Sequence, residues 1–150
     1  MVVGAGALAA VAALSAAAAF ASIPPAYRAH LPLETRAGDI AFMSGGKDQD
    51  EELSLKRAAQ DYPLELVFEE KDRPYDWIAG VPVRLRDEQG RIVLQDVSRG
   101  PIFLARLPRG RYTVEVKWDA WTFSKEVELG DVRQRVVFSW RRDVAEQSSG

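Results

Sequence analysis

The feature that most constrains the fold of this chain is a strict alternation of apolar and polar side chains in its second half. The clearest example is YTVEVKW, in which polar residues separate Tyr112, Val114 and Val116. Successive side chains of a β-strand point to opposite faces, so a period of two gathers the apolar set on one buried face. Similar runs, separated by Gly, Pro and Asp turn signals, recur at intervals of about ten residues from Leu64 to Trp140. This pattern predicts an all-β sandwich of about seven short strands.

The turn before this strand, LPRGRY, contains two arginines whose role the fold must explain. Pro108 supplies the fixed φ of a turn, and Gly110 tolerates a positive φ. Arg109 and Arg111 then lie at a turn tip and on the solvent face of a strand, where charge keeps an exposed strand soluble. The favoured interpretation is therefore a pair of solvated charges. The alternative is an anion-binding site near two successive turns, formed by Arg99, Arg106, Arg109 and Arg111.

A short helix is predicted ahead of the sandwich, over residues 48–62. Asp48 has the position of an N-cap, and Glu51 follows at the spacing of a capping box. Further acidic residues fall in the first turn, where the positive end of the helix dipole stabilises them. Pro63 ends the helix because proline cannot continue its hydrogen bonds.

Residues 1–21 have the composition of a secretory signal peptide. The stretch has no charged side chain, is dominated by Ala, and ends in Ala-Phe-Ala before Ser22. An apolar run followed by small residues is typical of a signal peptide, and we expect cleavage after Ala21. No Lys or Arg precedes the run, so an uncleaved anchor or a start further upstream is the alternative. We expect a periplasmic or secreted protein with no stable membrane insertion after cleavage.

The remaining segment boundaries are predicted from the Pro and Gly residues that interrupt the chain. Residues 22–47 are interpreted as a linker because Pro and Gly interrupt them and no period is sustained. The apolar patch at residues 40–43 is expected to add a short edge strand or to lie over the rim of the core. Residues 63–140 then form the sandwich, and residues 141–150 form a flexible polar tail.

The composition argues against several classes of function. The chain has no Cys, which excludes disulfides, thiolate zinc sites and a Cys nucleophile. Its formal net charge of −2 argues against nucleic-acid binding, which needs a surplus of Lys and Arg. The single histidine, His30, lies in the linker and cannot supply converging metal ligands or a Ser-His-Asp arrangement. We therefore expect a protein that is not an enzyme, with no catalytic residue, no metal and no cofactor.

Aromatic side chains are the best remaining candidates for recognition. The alternation places Tyr112 and Trp118 in the core, whereas Tyr75 and Trp121 are harder to bury by period. Trp77 lies in the same segment as Tyr75, RPYDWIAG. An exposed Tyr or Trp ring stacks on a sugar ring or on a side chain of a partner. The alternative role is packing within the domain.

The segment GVPVRLRDEQGRIVLQDVSRGPIFLARLPRGRYTVEV resembles the carboxypeptidase regulatory-like domain, a prealbumin-like (transthyretin-like) sandwich. Its strand, turn and closing Leu-Pro-x-Gly-x-Tyr-x-Val motifs correspond to residues 80–85, 87–90, 100–107 and 107–114. The helix before the sandwich and the terminal Phe-x-Trp also resemble small exported proteobacterial members. One departure concerns residues 118–121, which read Trp-Asp-Ala-Trp where the family usually has a hairpin Gly.

The resemblance implies a fold and a kind of role, but no reaction. The implied fold is an Ig-like or prealbumin-like β-sandwich with a short N-terminal helix. Domains of this family serve as structural or binding appendages, which implies a non-catalytic exported binding module. Its partner is expected to be an envelope protein or a cell-wall polysaccharide. The alternative is a carbohydrate- or peptidoglycan-binding module that uses its exposed aromatic side chains.

Overall fold

The computed structural model describes residues 28–71 and 78–140. The predicted signal peptide at 1–21 and the predicted tail at 141–150 lie outside this part of the chain. Within it are nine strands, one α-helix and one short 3-10 helix, whose bounds follow in chain order. They are β1 Thr35–Ala37, β2 Ile40–Gly45, α1 Gln49–Ala58, the 3-10 helix Ala59–Asp61, β3 Leu64–Glu70, β4 Pro82–Arg86, β5 Ile92–Val97, β6 Ile102–Arg106, β7 Gly110–Trp118, β8 Trp121–Leu129 and β9 Gln134–Trp140.

The strands form two sheets that pack face to face, which confirms the predicted all-β sandwich. One sheet has the order β1-β2-β6-β3-β9 and the other has the order β5-β4-β7-β8. Neighbouring strands are antiparallel except for β3 and β9, which run parallel. The main core lies between the sheets, and the alternating residues Tyr112, Val114 and Val116 are all buried in it. The period of two therefore identified the inner face of β7 correctly.

The segment 22–47 differs from the expected linker because it contributes two strands to the larger sheet. β2 pairs with β6 on one side and with β1 on the other, so it is not an edge strand. All six of its residues are buried. Phe42 packs in the core between the sheets, while Met43 lies on the other face in a second cluster beneath α1. A strand covered on both faces shows no apolar–polar alternation, which is why its sequence resembled an irregular apolar patch.

Helix α1 forms where it was predicted and covers the outer face of the larger sheet. Asp48 caps it, because its Oδ1 accepts a hydrogen bond from the Glu51 amide at 2.8 Å. The Glu51 carboxylate does not complete the predicted capping box but accepts from the Gly46 amide at 2.7 Å. Buried side chains on the inner side of the helix pack on those of β2 and β6. They form a second cluster of Met43, Leu55, Ala58, Ala59, Tyr62, Ile102 and Leu104.

No helix in the described ranges, 28–71 and 78–140, is long and apolar enough to cross a membrane.

Candidate functional site

The structure does not bring the four candidate arginines together. Arg99 precedes β6 and Arg106 ends it, so the length of a five-residue strand, about 15 Å, lies between them. Arg109 forms an ion pair with Asp131, and both side chains are exposed. The remaining three have separate surroundings too. Arg99 and Arg111 are exposed, Arg111 lies 3.9 Å from Glu128, and Arg106 is half-buried beside the 3-10 helix.

The turn at Pro108 is held by the strand that follows it. The Tyr112 hydroxyl donates to the Pro108 carbonyl at 2.8 Å, which fixes the chain four residues upstream. Burial raises the pKa of Tyr112, and the carboxylates of Asp87 and Glu88 add to that shift. Tyr112 therefore stays a neutral donor at physiological pH. These contacts account for LPRGRY as a structural turn.

A half-buried polar cluster joins the segment before β1 to the larger sheet. The Tyr62 hydroxyl donates a short hydrogen bond to the Glu34 carboxylate, and Tyr62 itself is only 2% exposed. The Arg106 guanidinium lies 4.8 Å from the centre of the Tyr62 ring and donates to the Asp61 carbonyl at 2.7 Å. Burial, followed by the hydrogen bond and the charge of Glu34, raises the pKa of Tyr62, and Arg106 opposes the rise. The Tyr62 hydroxyl is enclosed and neutral. The cluster therefore has a structural role: it holds the segment before β1 against the 3-10 helix and the end of β6.

A buried carboxylate lies on β3. Glu65 is 5% exposed, and its carboxylate faces the guanidinium groups of Arg133 at 3.2 Å and Arg135 at 3.6 Å. Arg133 also donates to the carbonyl of Ala59. A buried carboxylate needs such partners because it has left water. The contacts join β9 to the end of the helical segment and leave no carboxylate free for acid–base chemistry at this position.

The clearest candidate for a binding surface is a group of five aromatic side chains, four of them stacked, where the β7–β8 hairpin meets the ends of β3 and β9. We call it the aromatic end and define it as Phe68, Trp118, Trp121, Phe123 and Trp140. Trp140 is its centre, with ring centroids at 5.1 Å from Trp118, 5.8 Å from Phe123 and 6.3 Å from Phe68. Stacked rings at these distances attract one another beyond the burial of their area.

Trp121 is the exposed member of the aromatic end. It pairs directly with Trp118 across the hairpin, and 38% of its surface is accessible. The two residues between them form the turn, in which Asp119 has a φ of 51°. Asp tolerates this left-handed conformation better than most side chains, so it takes the place of the expected hairpin Gly. The hairpin therefore closes tightly and holds Trp121 at its tip.

The other two predicted aromatic contributors, Tyr75 and Trp77, lie outside the described residues. Trp140 ends the last of the alternating runs, but alternation alone does not indicate its central position among the rings. The sequence pattern also missed the contact between Tyr62 and Glu34, which are 28 residues apart in sequence. Within ranges 28–71 and 78–140, no group of three or more His, Cys, Asp or Glu side chains is placed to hold a metal ion.

Comparison with known proteins adds little to this geometry. No protein-family model matches the chain, and no curated protein matches it. Among solved structures it is similar to one described as the Bacillus anthracis TIE protein, with 15% identity and a TM-score of 0.43. That match covers 52% of this chain and 16% of the other, so it spans about a sixth of the longer protein.

Proposed function

We propose that this protein is an exported, non-catalytic binding module of carboxypeptidase regulatory-like type that contacts its partner through the aromatic end. The observation that carries the proposal is the placement of Trp121, exposed at a hairpin tip and backed by the stack of Trp118 on Trp140. A large ring held in place loses little conformational freedom on binding, which is why Trp is enriched in recognition surfaces.

The strand order supports the prealbumin-like member of the two expected sandwich types. If the seven strands from β3 to β9 are lettered A to G, the sheets read D-A-G and C-B-E-F. Immunoglobulin constant domains instead group strands A, B, E and D in one sheet and C, F and G in the other. Export is supported by the sequence of residues 1–21, and the partner is then an envelope protein or a cell-wall polysaccharide.

A second candidate function, carbohydrate or peptidoglycan binding, is favoured by a carboxylate close to Trp121. Asp119 is exposed in the hairpin turn, two residues before Trp121. Carbohydrate sites combine a ring that stacks on the sugar with hydroxyl or carboxylate groups that bond its hydroxyls. Trp121 and the adjacent Asp119 are one group of each kind.

The proposal is tested by comparing retention of three proteins on purified wall polysaccharide and on immobilised envelope proteins. The proteins are the unchanged chain, Trp121→Ala, and the matched control Val132→Ala. Val132 is 71% exposed but lies beyond the opposite end of β8, about 30 Å from Trp121. We expect only Trp121→Ala to lose retention, with an unfolding midpoint close to that of the control.

The two candidate functions are distinguished by which immobilised material, polysaccharide or envelope protein, retains the unchanged chain. Retention on polysaccharide, accompanied by a change in Trp fluorescence when wall fragments are titrated, supports the carbohydrate-binding function. Retention on envelope protein without a response to glycans supports the protein partner. Equal retention of Trp121→Ala and Val132→Ala on both materials contradicts the proposal.

A further inference from the structure

Lys125 is a charged residue on the inner face of β8, the edge strand that begins with Trp121. It pairs with Val114 of β7, whose side chain is buried in the core, and residues directly opposite each other in an antiparallel pair share a face. Phe123 and Val127, two residues to either side, pack on the same core. Lys125 therefore interrupts an apolar row, and a charge at such a position needs a partner.

The partner of Lys125 belongs to the other sheet. Its Nζ donates to the Val137 carbonyl of β9 at 2.7 Å and lies 4.9 Å from the centre of the Phe138 ring. β8 and β9 are edge strands of different sheets, so among the described strands neither extends the hydrogen-bonded ladder of the other. The ammonium group thus supplies a charge-assisted hydrogen bond and a cation–π contact where the two sheets meet.

This link lies next to the aromatic end on both strands. On β8, Phe123 is two residues from Lys125 on the same face, and it stacks on Trp140 with centroids 5.8 Å apart. On β9, Phe138 is two residues before Trp140, and both of these rings contact Phe68. Two residues span only about 7 Å of strand. Holding Lys125 against Phe138 therefore also holds Phe123 against Trp140.

The ring of Trp140 is held by stacking rather than by a hydrogen bond in the described part of the chain. Its Nε1 is buried and has no hydrogen-bond partner there. Its carbonyl accepts from the Lys71 amide at 3.0 Å, which fixes the main chain but not the ring. Trp118 and Phe123, two of the rings that stack on it, belong to the β7–β8 hairpin. The stack therefore persists only while the hairpin stays against β9.

We propose that Lys125 is the positioning residue of the aromatic end: its bond to β9 holds the β7–β8 hairpin against Trp140, so that Trp121 is presented at a fixed place on the surface. This inference rests on the proposed binding function of Trp121. When only a fraction of the molecules has the binding arrangement, the affinity falls by that fraction. Loss of the Lys125 bond therefore weakens binding although the groups that touch the partner are unchanged.

The test compares the unchanged chain with Lys125→Met, Lys125→Arg and the matched control Lys117→Met. Met keeps an apolar stem but has no donor, and Arg keeps a cationic donor. Lys117 is exposed on the outer face of the same hairpin. The first measurement needs no ligand: the stacked indoles of Trp118 and Trp140 give an exciton couplet in circular dichroism, assigned by its loss in Trp118→Phe. Well below the unfolding midpoint, we expect the couplet to shrink in Lys125→Met and to be kept in the other two variants.

The second measurement is the affinity for soluble wall-polysaccharide fragments and for solubilised envelope proteins. We expect Lys125→Met to bind about fivefold more weakly than the unchanged chain, which is the effect of losing one exposed hydrogen bond from a charged group. Lys125→Arg and Lys117→Met are expected to bind as the unchanged chain does.

A full couplet or an unchanged affinity in Lys125→Met would overturn the proposal, because a lower unfolding midpoint alone would mean that Lys125 only stabilises the fold. An equal reduction in Lys117→Met, or a reduction in Lys125→Arg as large as that in Lys125→Met, would also overturn it. If the unchanged chain bound neither material, the proposed function would fail. The couplet would then still decide whether Lys125 sets the geometry of the aromatic end.

Discussion

Replacing Gly100 with alanine is the substitution whose effect the structure defines most sharply. A Cβ at this position would lie 2.2 Å from the Gly45 carbonyl oxygen and 2.3 Å from its carbon. Both are main-chain atoms, so no side chain can rotate out of the way, and the two segments must separate by roughly 1 Å. Gly100 has no positive φ, so the expected cost is steric rather than conformational.

The cost follows from what that separation disturbs. Gly45 pairs with Ile102 in the larger sheet, and the Arg99 amide donates to the Ser44 hydroxyl at 2.9 Å. Overpacking costs about 1–3 kcal/mol, and each stretched hydrogen bond adds about 1 kcal/mol. We therefore expect Gly100→Ala to lower the free energy of unfolding by about 3 kcal/mol, measured by urea denaturation.

Gly130→Ala is the matched control for this measurement. A Cβ there meets no atom within 4 Å, and Gly130 also has no positive φ. The control is expected to change stability by less than about 0.5 kcal/mol or to raise it slightly, because alanine restricts the unfolded chain. If Gly100→Ala lost less than about 1 kcal/mol, the close approach of these two backbones would be refuted.

Three further predictions concern charge, ionisation and turn geometry. The double variant Arg133→Ala with Arg135→Ala should lower the free energy of unfolding by about 2–3 kcal/mol in urea denaturation, because it leaves the Glu65 carboxylate buried without a partner. Glu65→Gln should lower it by only about 1 kcal/mol, since both arginines can reach water. Equal losses for the two variants would contradict this reasoning. Because the pKa of Tyr62 is raised on folding, the unfolded chain loses this proton first, and stability should fall as the pH rises above about 10. Tyr62→Phe should make that fall shallower between pH 8 and 11, and an unchanged slope would argue against the buried hydroxyl. Asp119→Val should lower the thermal midpoint, at a cost of about 1–2 kcal/mol, because a β-branched side chain is strained at a φ of 51°, while Asp119→Gly should not.

The architecture was largely predictable wherever one face of a strand meets the core and the other meets water. β7 is such a strand, and its alternation identified Tyr112, Val114 and Val116 as inward-facing. β2 is the opposite case. Its residues Phe42 and Met43 are buried on opposite faces, and the covering on one side comes from α1, so the local sequence carries no period to detect.

The candidate site was less predictable because it depends on which strands become neighbours. Trp121 was expected to be hard to bury by period and is exposed, but the neighbouring stack on Trp140 needs β9 to lie against the end of the hairpin. The alternation indicates which face of the strand Trp140 lies on, but it does not indicate which rings Trp140 contacts. For the arginines, closeness in sequence was misleading. Arg99 and Arg106 are seven residues apart, but the extended strand β6 lies between them and keeps them from forming one site.

The most direct test of the account is site-specific photo-crosslinking in the native host. A photo-reactive phenylalanine derivative replaces Trp121 in one protein and Val132, an exposed residue beyond the far end of β8, in the other. The account predicts a discrete adduct with an envelope protein or a wall polymer from position 121 and none from position 132. Adducts of the same identity and yield from both positions, or an adduct from position 132 alone, would contradict the claim that the aromatic end is the binding surface.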